Sequence, residues 1–143
     1  MQRYVIDSSV FNKLYLDEPD RDKAQRLFVK VAAAEIMLLA PDLLYLEVVN
    51  TAQRCGLPIN AVVELLEAQH YLMKMRAVTN DERKQALKII GNGHDKSGYP
   101  SIYDSIFHAM AVCNDAILVT ADKRHYAKTH VLGNICLLSE LEV

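Results

Sequence analysis

The chain has 143 residues, 51% of them hydrophobic and 24% charged, with a formal net charge of -2. That balance supplies the core of an ordinary single domain, expected over residues 1–143, and excludes a disordered chain. It also excludes nucleic-acid binding through bulk positive charge, so any such contact must come from a local basic patch.

Short apolar runs alternate with longer amphipathic ones, the pattern of βα units around a parallel sheet. Tyr4–Ile6 reads as the first strand and Ser9–Leu16 as a short helix that stops before Pro19. Arg21–Ala33 carries Ala24, Leu27, Phe28 and Val31 at helical spacing, and Ile36–Ala40 is a second buried strand. Pro41 opens a helix to Cys55, ended by Gly56-Leu57-Pro58, and Ile59–Leu72 follows as another. A less distinct strand lies near Met75–Val78. Thr79-Asn80-Asp81-Glu82 is a capping box starting a helix that closes near Gly91, and Gly91–Pro100 is a polar loop. Ser101–Cys113 is helical, Ala116–Thr120 is a strand, a short helix runs from Asp122 to about Lys128, and Ile135–Leu138 is the last strand.

No apolar run approaches the roughly 18 residues of a membrane span, and no secretory pattern opens the chain, so a cytoplasmic protein is expected. Cys55, Cys113 and Cys136 are widely spaced and odd in number. They read as reduced, mostly buried thiols rather than a disulfide framework or a zinc site.

Four acids stand where such a fold does chemistry. Asp7 follows the first strand and Asp122 follows the strand ending at Thr120; the carboxyl ends of parallel strands are where open α/β sheets bind ligands. Glu47 and Asp104 sit in the first turns of helices that begin near the same edge. Each has a plain structural reading: Asp7 and Asp122 as helix caps, Asp104 as half of a Ser101-x-x-Asp104 capping box, Glu47 as part of a solvated helix stripe. Together they suggest a convergent cluster. Gathered carboxylates repel and raise one another's pKa, a conflict that a hard divalent cation with oxygen ligands resolves.

In these residues the chain resembles the PIN-domain family, most closely the VapC and FitB type of bacterial toxin. The resemblance runs through Asp7-Ser8-Ser9, Pro41 through Glu47 with Asn50 following, Asp104-Ser105-Ile106-Phe107-His108-Ala109, and Thr120-Ala121-Asp122. It covers nearly the whole chain in order, with Ser105 standing where many members carry Ala. It implies a three-layer α/β/α sandwich with a central parallel sheet. It further implies a ribonuclease in which Asp7, Glu47, Asp104 and Asp122 are catalytic and hold Mg²⁺ or Mn²⁺. Ser8, Ser9 and Thr120 would orient those carboxylates or water. Water activated at the ion would attack an RNA phosphodiester in line, leaving a 5′-phosphate and a 3′-hydroxyl. A homodimer and an inhibiting antitoxin protein are the implied partners.

Lys123, Arg124, His125 and Lys128 form a basic cluster just after Asp122. It reads either as a rim contacting RNA phosphates or as a solvated helix face. Tyr99 and Tyr103 could stack on bases beside Asp104. Surplus apolar residues of Ile59–Leu72 are expected to form a dimer or antitoxin surface. Two competing readings stand beside the active nuclease. One is a catalytically inactive PIN-like module that binds RNA or protein. The other is an aspartyl-phosphate receiver or phosphatase, which needs a second Asp near Asp7 that Ser8-Ser9 does not supply.

Overall fold

A computed structural model of the chain describes residues 1–93, 95–96 and 98–143. His94 and Ser97, within the polar loop expected at 91–100, lie outside the described residues. The strands are β1 (Gln2–Ile6), β2 (Ile36–Pro41), β3 (Met73–Arg76), β4 (Ile117–Thr120) and β5 (Ile135–Leu137). All pair parallel in the order β3-β2-β1-β4-β5. The helices are α1 (Ser8–Phe11), α2 (Arg21–Ala32), α3 (Leu43–Arg54), α4 (Ile59–Gln69), α5 (Asn80–Ile90), α6 (Ile102–Cys113) and α7 (Lys123–Thr129).

This strand order means the chain winds outward from β1 in both directions. Right-handed crossovers then put α2, α3 and α4 on one face and α5, α6 and α7 on the other. The result is the expected three-layer α/β/α sandwich. Contacts between side chains agree with it. Phe11 and Phe28 meet edge to face at 5.9 Å on one side, and His108 of α6 meets His125 of α7 on the other. Val5, Ile6, Leu38, Leu118 and Val119 fill the middle layer, against Leu44 and Val48 of α3 and Phe107 and Met110 of α6. Being covered on both faces, these strands are nearly all apolar, which is why they read as continuous runs.

Several expected boundaries shift for local reasons. Pro41 is the last residue of β2, paired with Arg76, so α3 begins at Leu43. The third strand runs Met73–Arg76, not 75–78, because Met73 pairs with Leu38 and is fully buried. The helix expected over Ser9–Leu16 divides into α1 and a 3₁₀ turn at Asn12–Leu14. The capping box of α5 is complete: Thr79 Oγ accepts from Glu82 N at 3.1 Å and Glu82 Oε1 accepts from Thr79 N at 2.8 Å.

The cysteines are free, as expected, but not mostly buried. Cys55 and Cys113 are exposed and Cys136 is half-buried. The first two stand at helix ends, Cys55 capping α3 and Cys113 closing α6, where side chains turn outward. Among the described residues, no helix is long and apolar enough to cross a membrane.

Candidate active site

The sheet's winding reverses between β1 and β4, and a crevice forms beyond the carboxyl ends of strands at such a point. Ile6 is in register with Val119, so the residues that leave these two strands, Asp7 and Thr120, emerge side by side. Thr120 Oγ donates to Asp7 Oδ2, and Ser9 Oγ donates to Asp7 Oδ1. Each hydroxyl in turn accepts from the backbone of the β4–α7 turn. Ala121 N donates to Ser9 Oγ at 2.9 Å, and Asp122 N donates to Thr120 Oγ at 3.0 Å. The two loops are thereby stitched together through one carboxylate. Asp7 also caps α1, accepting from Val10 N at 3.3 Å.

The cap readings of the acids are thus partly correct. Asp122 caps α7 through Oδ1, which accepts from Arg124 N at 2.9 Å and His125 N at 3.2 Å. Among the described residues, its Oδ2 takes no hydrogen bond. Asp104 is different. Its amide donates to Ser101 Oγ at 3.1 Å, but its carboxylate does not return to the Ser101 amide, so the capping box at this helix is only half made. Glu47, one turn into α3, is half-buried and accepts from Ser8 Oγ at 3.3 Å. The three hydroxyls of Ser8, Ser9 and Thr120 therefore each donate to a carboxylate of the group.

The acids sense one another. Burial pushes the Asp7 carboxyl up to about 6; the Ser9 and Thr120 hydrogen bonds oppose that, and the charge of Asp104 adds to it. Burial pushes Glu47 up to about 7, reinforced by the charges of Asp7 and Asp104 and eased by Ser8. Asp104 is raised by burial and by Asp122, with Ser101 and Lys128 working the other way. Among the described residues, no salt bridge reaches any of the four acids. Also among those residues, no three His, Cys, Asp or Glu side chains stand close enough to hold one ion directly. The donor set nonetheless suits Mg²⁺ or Mn²⁺: it is all oxygen, short of positive charge, and Mg²⁺ leans on one or two carboxylates while keeping water for its other positions.

Of the basic cluster, Lys123 and Arg124 are exposed and Lys128 is half-buried, close enough to act on Asp104. His125 is not part of that rim. It is only 3% exposed, and its ring contacts His108 with Nε2 to Nδ1 at 3.3 Å. His108 Nε2 must donate to the Gly133 carbonyl, 2.8 Å away. Neutral His108 therefore accepts at Nδ1, His125 donates from Nε2, and His125 Nδ1 is left as a buried acceptor without a partner among the described residues. Burial and the neighbouring His108 push His125 down to about 4, so the ring is neutral at physiological pH. Tyr99 and Tyr103 are exposed, at 69% and 60%.

One buried cation was missed by sequence reasoning. Lys13, in the 3₁₀ turn after α1, has a side chain only 9% exposed and pairs with Glu18 at 3.6 Å. A lysine two residues past an apolar Val-Phe pair carries little signal of burial.

Comparison with known proteins identifies the fold. The family model described as PIN domain matches residues 4–131. The chain belongs to the PIN-domain family. Solved structures similar to this PIN chain include a toxin and VapBC proteins. VapC20 of Mycobacterium tuberculosis, described as a sarcin-ricin loop cleaving toxin, is 19% identical with a TM-score of 0.64, covering 87% of this chain and 93% of its own. VapBC2 from Rickettsia felis, bound to a promoter DNA fragment, gives 12% identity and a TM-score of 0.71, covering 95% and 97%. VapBC-1 from nontypeable Haemophilus influenzae gives 12% identity and a TM-score of 0.72, covering 97% and 100%. At these identities the likeness is one of fold. No curated protein sequence matches the chain.

Proposed function

We propose that this PIN domain, residues 1–143, is a Mg²⁺- or Mn²⁺-dependent endoribonuclease and the toxin of a toxin–antitoxin pair. It would act in the cytoplasm as a homodimer held in check by a small antitoxin protein. The observation that carries this reading is the electrostatics of the switch-point crevice. Asp7 and Glu47 are pushed up to about 6 and about 7, partly by other carboxylates, and among the described residues no salt bridge reaches them. A fold gains nothing from such repulsion, so the arrangement points to an added cation. The toxin and antitoxin assignments are supported by the names of the structural relatives.

Asp7, Glu47, Asp104 and Asp122 would hold the ion, some directly and some through water. When bound, such an ion supplies Lewis acidity toward a phosphate oxygen and lowers the pKa of a water. The chain's own residues do the positioning. Ser9 and Thr120 fix both oxygens of Asp7, Ser8 orients Glu47, and the cap bonds of Asp122 use Oδ1 and not Oδ2. Lys123, Arg124 and Lys128 would steer the phosphate backbone toward the acids.

The test is cleavage of a structured RNA with added Mg²⁺ or Mn²⁺. Wild type is expected to cut, and Asp7→Asn to lose at least about a hundredfold in rate. Equal cleavage by both would point to a contaminant. RNA binding without cleavage by wild type would leave the inactive PIN-like module as the better reading, one that the spacing of the acids also favours.

A further inference from the structure

We propose that the cleft floored by Lys13 binds a phosphate of the RNA strand next to the one that is cleaved; the proposal rests on the nuclease reading above. The cleft has a volume of about 430 Å³, and its walls include Ser8, Ser9, Asn12, Lys13, Thr51 and Arg54. Ser8 and Ser9 are the residues that bond Glu47 and Asp7, so the cleft shares two residues with the acidic group. A second cleft of about 230 Å³ shares Lys13 and Ala121 with it and adds Lys123. Lys13 is thus common to both clefts, one of which also carries Arg54 and the other Lys123.

The state of Lys13 is what calls for an anion. Its side chain is more than nine-tenths buried, yet its ammonium has a single partner, Glu18, at 3.6 Å. That is beyond hydrogen-bond reach, and among the described residues Nζ donates to no acceptor. A buried charge is stable when paired and hydrogen-bonded. Glu18 also lines the cleft and opposes an incoming anion, but its side chain is 42% exposed. A phosphate can take its place at Lys13 while Glu18 keeps its charge in water. The remaining walls fit the same ligand. Thr51 offers a hydroxyl, Asn12 an amide and Arg54 a guanidinium, donors of the kinds that contact phosphates, and the lining has no aromatic surface on which a base would stack.

The experiment uses the full chain with Asp7→Asn to prevent turnover. A short fluorescein-labelled single-stranded RNA of mixed sequence is titrated by anisotropy across a series of KCl concentrations. Lys13→Met and Arg54→Gln, each added to this background, are expected to weaken binding at least about fivefold and to lower the salt slope by about one. Lys13→Arg should restore the slope. Lys30→Gln, at the opposite end of the strands beside Glu35, should change neither quantity. Arg54 is exposed, so its variant reads out even if Lys13→Met folds poorly. Unchanged slopes in both variants, or weaker binding at unchanged slope, would overturn the proposal. If the Asp7→Asn parent binds no RNA, the nuclease reading falls and takes the subsite with it. If the parent binds and the variants match it, only the subsite falls.

Discussion

Glu47 and Glu82 show how the same side chain serves opposite ends in one fold. Glu47 is pushed up to about 7 by burial and by Asp7 and Asp104. The folded state therefore binds its proton more tightly than the unfolded chain does. Stability from this group is fully present below about pH 4.5 and is lost as pH rises through about 7. Glu47→Gln should match wild type in acid and exceed it by roughly 1 kcal/mol above neutrality, without divalent metal, since solvent screens a half-exposed carboxylate. Chemical denaturation at two pH values measures this, and a variant less stable than wild type at alkaline pH would contradict it. Other residues show what the sequence concealed. The places of Asp7 and Asp122 just past strand ends were legible because each follows an apolar run, and both also cap helices as their cap readings expected. His125 was misread because it follows Lys123-Arg124, yet it lies four residues before Thr129, and both are buried on one face of α7. Lys13 was illegible because nothing in Phe11-Asn12-Lys13-Leu14 marks a lysine for burial.

At the scale of elements, α5 is anchored by a network far more complete than a surface cap. Arg76 donates to both oxygens of Glu82 at 2.7 and 2.8 Å, and Asn114 Nδ2 adds a third bond at 2.7 Å. This ties the end of β3, the start of α5 and the end of α6 together. The Arg76 hydrogen bonds, with those from Thr79 and Asn114, hold Glu82 down at about 2 despite its burial. The sign is the reverse of Glu47: stability is present above about pH 4.5 and is lost as pH falls toward about 2. Glu82→Gln should cost roughly 2–4 kcal/mol at neutral pH and progressively less in acid. A loss independent of pH would mean that packing, not the charge, does the anchoring. The sequence showed the Thr79–Glu82 box because its spacing is local. The Arg76 and Asn114 partners are set by strand order and helix packing, which local spacing does not carry. The same limit explains the cysteines: composition favours buried thiols, but Cys55 and Cys113 fall at helix ends.

At the scale of the whole molecule, the parallel sheet and its helical layers were readable from alternating strand-like and helix-like runs, because each run has its own period. The strand order was not readable from those runs alone, and it is the strand order that brings Asp7 beside Thr120 and sets Asp104 within electrostatic reach of both Asp7 and Asp122. The outer side chains of α4, such as Ile59 at 38% exposure, remain our proposed dimer or antitoxin surface. What joins these scales in our proposal is a divalent ion shared among distant carboxylates. The most direct measurement is Mn²⁺ binding by electron paramagnetic resonance, on wild type and on Asp104→Asn. The expected result is saturable micromolar-to-millimolar binding that Mg²⁺ competes away and that Asp104→Asn weakens at least about tenfold. Binding that is absent in wild type, or identical in the two proteins, would contradict it.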